Sequence, residues 1–269
     1  MGINSRILAL VDPSQEKQQA LRRARFNAER SGDKPHITVF MAVDHELQKH
    51  IKTTPILYRD PQWIDQTLSA LTEVGLEYDL GISWQEEWAE AVLGEIKRSN
   101  PDLVLVPVYV DEEGNHVITD EIWRLLRYSN VNISLIQPRK DLEREGRDVI
   151  LAAVKQQDAE FDERNLKIIA QAKHLAEIYG AEWHIVNAYQ DQMSFPDRAK
   201  MIAMSGLPNE KIHIGLGKPG EVIAEVAKEV KADVALIAPA RRSGISAALR
   251  GATINKIISK IPCDVIAIV

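Results

Sequence analysis

Residues 220–240 read GEVIAEVAKEVKADVALIAPA, and this stretch decides the fold. Val222, Ile223, Val226, Ala227 and Val230 recur at helical spacing, which lays one apolar stripe along a helix face. Val234 to Ala238 then form a short unbroken apolar run, the pattern of a strand buried on both faces in a parallel sheet. The same order stands earlier in the chain, at residues 86–108, EEWAEAVLGEIKRSNPDLVLVPV. There Ala89, Val92, Leu93 and Ile96 carry the stripe, and Leu103 to Val108 carry the run. Asp102 and Asp233 occupy matching places, each just before its run.

The correspondence extends outward. Residues 20–44, ALRRARFNAERSGDKPHITVFMAVD, take the place of residues 166–189, LKIIAQAKHLAEIYGAEWHIVNAY. Further apolar runs are Ile7 to Val11, Ile37 to Val43 and Ile133 to Ile136, with a weaker one near Leu76 to Ile82. The second half has Val149 to Val154, Trp183 to Tyr189, Lys211 to Gly215 and Val265 to Val269. Helical stripes run through Ile168 to Tyr179 and Ile254 to Ile261. Alternating strands and helices predict an α/β fold with parallel sheets. The charged stretch Pro138 to Arg147, PRKDLEREGR, lacks apolar periodicity and reads as a solvated linker. Two copies of one domain follow, over residues 1–140 and 147–269.

Composition excludes several function classes. The chain has 269 residues, 33 basic and 39 acidic, with a formal net charge of -6. A nucleic-acid binder relies on a basic surplus, so no such partner is expected. The single cysteine, Cys263, permits no intramolecular disulfide and no multi-cysteine zinc site. It opens the last strand, where a small buried residue belongs. No apolar run approaches the roughly 18 residues of a membrane span, and the short run after Met1 is not a signal peptide. A cytoplasmic protein is the expectation.

The residues also carry a resemblance. Asp12-Pro13 ends the first strand and precedes a helix. Residues 232–269, ADVALIAPARRSGISAALRGATINKIISKIPCDVIAIV, are similar to the C-terminal signature of the universal stress protein family. In its tandem form the chain resembles the family's E-type members over nearly its whole length. The resemblance implies two doubly wound domains of the adenine-nucleotide alpha hydrolase type, each a five-stranded parallel sheet of order 3-2-1-4-5. It also implies a pseudo-dimer within one chain through the last strands, with a homodimer as a further form. It implies a stress-response role, and in the family's nucleotide-binding branch an ATP site. There the strand-end Asp serves the base and ribose. A Gly-x₂-Gly-x₉-Gly-(Ser/Thr) loop lets backbone N–H groups and a helix N-terminus hold the phosphates.

This chain departs from that motif. In the second half the four motif positions fall on Ala238, Arg241, Gly251 and Ala252, with Thr253 one place late. The strand-end Asp falls on or near Lys155. The first half keeps Asp12 but has no matching glycine spacing after Val106. It carries Asp111, Glu112 and Glu113 where phosphates would sit, and these repel a triphosphate. No ATP cofactor is therefore expected. Arg241 and Arg242 read as an anion clamp beside Gly251, as a solvated loop, or as an arginine stem plugging a pocket that no longer binds nucleotide.

Other features are weaker. Gly215-x-Gly217-x-x-Gly220 has dinucleotide spacing but follows a third strand, so a turn into a helix with Pro219 in its first turn is the preferred reading. His184 and His213 lie in neighbouring strands and can approach, yet no metal-ligand spacing accompanies them. Trp84 and Trp88 share one face if helix has begun by Trp84. The irregular stretches 44–63 and 190–209 include Met193, Phe195, Met201, Ile202 and Met204, adaptable apolar surface that covers the core or lines a cavity. No catalytic or metal-ligating set emerges. The favoured reading is a non-enzymatic stress-response protein that binds a small, partly apolar or anionic ligand, or a protein partner, at the strand ends. The alternatives are an ATP-hydrolysing or phosphotransfer enzyme of the same fold, and a scaffold with closed clefts.

Overall fold

The computed structural model describes residues 5–32, 34–55, 60–114, 116–138, 147–156, 159–238, 258 and 260–269. The chain divides into two compact units, residues 1–141 and 142–269. In the first, strands and helices follow as β1 (Arg6–Val11), α1 (Gln19–Ser31), β2 (His36–Met41), α2 (Pro61–Thr72), β3 (Tyr78–Ile82), α3 (Trp88–Ser99), β4 (Leu103–Pro107), a small hairpin of β5 (Tyr109–Val110) and β6 (His116–Val117), α4 (Asp120–Tyr128) and β7 (Asn132–Ile136). The five long strands are all parallel, in the order β3-β2-β1-β4-β7.

The second unit runs β8 (Val149–Val154), α5 (Ala159–Tyr179), β9 (Glu182–Tyr189), α6 (Arg198–Ser205), β10 (Ile212–Leu216), α7 (Pro219–Glu229), β11 (Val234–Ile237) and β12 (Asp264–Ala267). Its parallel order is β10-β9-β8-β11-β12. Both sheets therefore have the doubly wound order 3-2-1-4-5. Such sheets bind ligands outside the strand C-terminal ends, where the order reverses.

The apolar runs become strands because both faces are covered. Ile7, Ala9, Val11, Ile37, Val39 and Met41 pack under Ala20, Leu21 and Ala24 of α1 and Leu68 and Leu71 of α2. Helix ends carry ordinary caps. Asp60 accepts the Gln62 N–H ahead of Pro61, and Gly32 closes α1 at φ 71°. Asp102 and Asp233 do the same work in each copy. Asp102 Oδ2 takes the Arg6 N–H at 3.0 Å, and Asp233 Oδ2 takes the Asp148 and Val149 N–H groups at 2.8 and 3.1 Å. Each pins the start of its domain's first strand to the start of the fourth.

Two expectations need correction. Arg147 is not part of a solvated linker: it is buried, its Nη2 lies 3.6 Å from buried Asp264 Oδ2, and its guanidinium lies 5.6 Å from the Tyr179 ring centre. A charge run misleads when its last member turns inward to a partner distant in sequence. Trp84 and Trp88 do not share a helix face, because α3 begins at Trp88; Trp84 is exposed and Trp88 buried. Among the described residues no helix is long and apolar enough to cross a membrane.

Gly215 explains the dinucleotide-like spacing. A Cβ there would meet Val222 Cγ1 at 2.5 Å, so the glycine lets α7 close on β10. Pro219 stands in the first turn of α7, and the stretch is a packed turn into a helix.

Candidate functional site

The strand-end cleft of the first unit starts from Asp12. Its backbone carbonyl accepts Gln15 N and Gln18 Nε2, and its Oδ1 accepts Ser14 N at 2.8 Å and Ser14 Oγ at 2.6 Å. This Asx-type turn fixes the carboxylate at the end of β1. Asp12 Oδ2 is buried and has no hydrogen-bond partner.

The segment after β2 crosses this point. Asp44 Oδ1 accepts the Glu46 and Leu47 N–H groups, and its Oδ2 accepts Thr119 Oγ1. Glu46 Oε2 accepts the Asp120 N–H at 2.7 Å at the start of α4. At the far end of the segment, Thr54 N and Oγ1 donate to the Ser14 carbonyl at 2.8 and 2.7 Å. Residues 44–54 thus form a strap, tied at both ends, that buries Leu47. Trp88 and Tyr109 close the cleft from α3 and from the hairpin after β4. What remains is a cavity of about 30 Å³ among Asp12, Asp44, Leu47, Trp88, Tyr109 and Ile122, the space of one or two water molecules.

The exposed lining of that cavity is almost wholly apolar, and the polar atoms of the residues around it are buried. Tyr109 OH and Trp88 Nε1 are buried without hydrogen-bond partners, as is Asp12 Oδ2. Burial pushes the Asp12 carboxyl up to about 6, against the Ser14 hydrogen bonds, and the Asp44 charge pushes the same way. Burial, then the Asp12 and Asp44 charges, push the Tyr109 phenol well above its ordinary range. Such a site favours neutral over charged groups.

The cavity beside Asp12 is much smaller than a nucleotide-sized site. Sites for ligands of that size hold roughly 300–1,000 Å³. A groove of about 540 Å³ adjoins Tyr109 and includes Gln15, Lys52, Asp111, Glu112 and Pro138. It carries the Asp111 and Glu112 carboxylates, and its exposed Lys52 is 3.3 Å from Glu112. The turn between β5 and β6 includes Asp111 to Gly114. It is closed by Gly114 N–H on the Asp111 carbonyl, with Gly114 at φ 86°.

The second unit is built differently at the same place. Lys155 is exposed, and its backbone is clasped by buried Asn165: Lys155 N donates to Oδ1 at 3.0 Å and Asn165 Nδ2 donates to the Lys155 carbonyl at 2.8 Å. The Gln156 side chain makes two bonds to the Asp197 backbone at the start of α6. Ala238 directly follows β11 and is half-buried. Arg241, Arg242, Gly251, Ala252 and Thr253 lie outside the described residues. Of the site residues read from sequence, Asp12 stands in a formed cleft, while Lys155 and Ala238 mark the equivalent strand ends. Asp44, Tyr109, Thr119 and Asn165 were not legible as site residues, because each acts through a fold contact with no spacing signature.

Two further features are settled. His184 Nδ1 and His213 Nε2 lie 3.0 Å apart, and Glu182 Oε1 is 3.8 Å from His184 Nε2. Burial is the main cause lowering both imidazoles; the charge of its neighbour adds to this for His184. In the 190–209 stretch, Met201 is buried, whereas Met193 and Phe195 are exposed and Phe195 packs edge-on to Tyr189 at 5.1 Å.

The sequence model described as the universal stress protein family matches residues 197–268. Universal stress protein E of Photorhabdus laumondii is 26% identical, with 97% of this chain and 94% of that protein aligned. Universal stress protein E of Escherichia coli K12 is 24% identical, over 100% and 95%. Residues 197–268 of this chain thus match the universal stress protein family, and nearly its whole length is similar to universal stress protein E. That near full-length similarity and the two units of like strand order support a tandem arrangement. The fold agrees: a universal stress protein from Archaeoglobus fulgidus has a TM-score of 0.69 at 14% identity, covering 99% of this chain and 97% of that one. A Pseudomonas aeruginosa UCBPP-PA14 protein, solved as a candidate universal stress protein, has 0.76 at 22%, covering 98% and 93%.

Proposed function

We propose that this universal stress protein serves a stress response by binding, without catalysis, and that its first domain is not an ATP site. The observation that carries this reading is the filled cleft. Asp12 is present at the strand end, but Leu47, Trp88 and Tyr109 leave about 30 Å³ beside it. A phosphotransfer enzyme needs a phosphate cradle, a metal-holding carboxylate and a positioned base. The hairpin at Asp111 to Gly114 supplies acids in place of the cradle. The stress role rests on the names of the relatives, and a cytoplasmic location goes with it.

The working surfaces are then those left open at the strand ends, for a small ligand or a protein partner. Native mass spectrometry of protein purified from its host identifies what is held. Turnover of Mg·ATP by the full chain is the direct test: no phosphate release above a buffer control is expected. Release that disappears on Asp12→Asn overturns the non-catalytic reading.

A further inference from the structure

β3 is the outermost strand of the first unit's sheet. The Glu77 carbonyl accepts the Ile37 N–H, and the Ser83 N–H donates to the Met41 carbonyl. In a parallel ladder that alternation turns the amides and carbonyls of residues 79 and 81 toward β2. Those of Tyr78, Leu80 and Ile82 point outward. These residues also share a side-chain face, on which Leu80 is 42% and Ile82 39% exposed. Trp84, just beyond the strand on the same alternation, is 66% exposed.

Edge strands are usually guarded by lysine, proline or a bulge. Tyr78 to Ile82 contains neither lysine nor proline, and its register with β2 runs unbroken from Ile37↔Tyr78 to Met41↔Ile82. The other face is flat as well: Gly81 lies against Phe40, where a Cβ would approach its ring to 2.9 Å.

Charge selects the occupant. Residues 73–96 carry seven acids and no lysine or arginine. Five face a cationic side chain: Glu73 faces Arg25 at 3.4 Å, Asp79 His36 at 2.9 Å, Glu87 and Glu90 Arg124 at 3.9 and 3.5 Å, and Glu95 Arg98 at 2.8 Å. Glu77 and Glu86 flank the apolar stripe, both exposed. A second copy, paired antiparallel about Gly81, would set Glu77 opposite Gln85 and beside Glu86, so like charges meet. We propose that the β3 edge of the first domain accepts, by strand addition, an extended segment of another protein that alternates apolar and basic residues. Backbone bonds to Tyr78, Leu80 and Ile82 supply affinity, and the alternating side chains supply selectivity.

The test uses the full chain and fluorescently labelled peptides of about ten residues alternating valine and lysine. Saturable binding is expected. It should weaken at least about tenfold for a valine–glutamate peptide, and for a valine–lysine peptide N-methylated at every second amide. The Leu80→Lys/Ile82→Lys double variant should show a similar loss, with far-UV circular dichroism confirming that it folds. Should that variant fail to fold, Glu77→Lys/Glu86→Lys serves instead and is expected to prefer the valine–glutamate peptide. Equal binding of the N-methylated peptide, unchanged binding by the variants, or no binding at millimolar peptide overturns the proposal. So does self-association in sedimentation that the edge substitutions abolish, since the occupant would then be a second copy.

Discussion

Thr119 Oγ1 donates a 2.8 Å hydrogen bond to Asp44 Oδ2 across 75 residues of sequence. Both residues are buried. The bond joins the strap after β2 to the start of α4, and so holds the cover over the Asp12 cavity. Removing the hydroxyl leaves a buried carboxylate oxygen without its donor, which costs about 1–3 kcal/mol. Thr119→Val is expected to lower the urea midpoint accordingly, and Thr119→Ser to restore most of the loss.

The Asp12 carboxyl titrates near 6 in the folded chain, above its ordinary 3.8. The native state therefore binds more protons than the unfolded state between those values, and stability falls as pH rises through that window. Asp12→Asn keeps an oxygen for Ser14 and removes the buried charge. It should raise stability at pH 7.5 by up to about 3 kcal/mol, with the gain vanishing below about pH 4. Chemical denaturation at several pH values measures both.

The histidine pair acts in the opposite sense. His184 and His213 have folded values below the ordinary 6.5. The unfolded chain then takes up protons first, so stability is lost as pH falls below about 6.5. Two charged rings with nitrogens 3.0 Å apart cannot both be accommodated cheaply. His213→Gln should flatten the dependence of Tm on pH between about 7 and 5, as read by thermal unfolding.

Arg147 and Asp264 form a buried ion pair. Arg147→Met strands a buried carboxylate and should destabilise the second unit by about 3–5 kcal/mol. Adding Asp264→Leu should recover much of that in a double-mutant cycle followed by denaturant unfolding.

The sheets were legible because their strands are apolar on both faces and their helices carry one stripe. The runs at Ile7, Leu103, Val149 and Val234 all became strands of parallel sheets, and Asp102 and Asp233 matched because each binds the same backbone position. The hairpin after Pro107 was not legible: two residues per strand show no periodicity, and its turn rests on one glycine with positive φ. The site was half legible. Asp12 is marked by its place after an apolar run, whereas Tyr109 and Trp88 enter the cleft through tertiary packing, which spacing does not encode. Arg147 was misread for the same reason.

The filled cleft at Asp12 is tested most directly by calorimetric titration of the full chain with Mg·ATP, in parallel with Asp12→Asn. A dissociation constant weaker than about 10 µM, or on the order of -7 kcal/mol, is expected, with no difference between the two proteins. Tighter saturable binding by the native chain that Asp12→Asn weakens would contradict it.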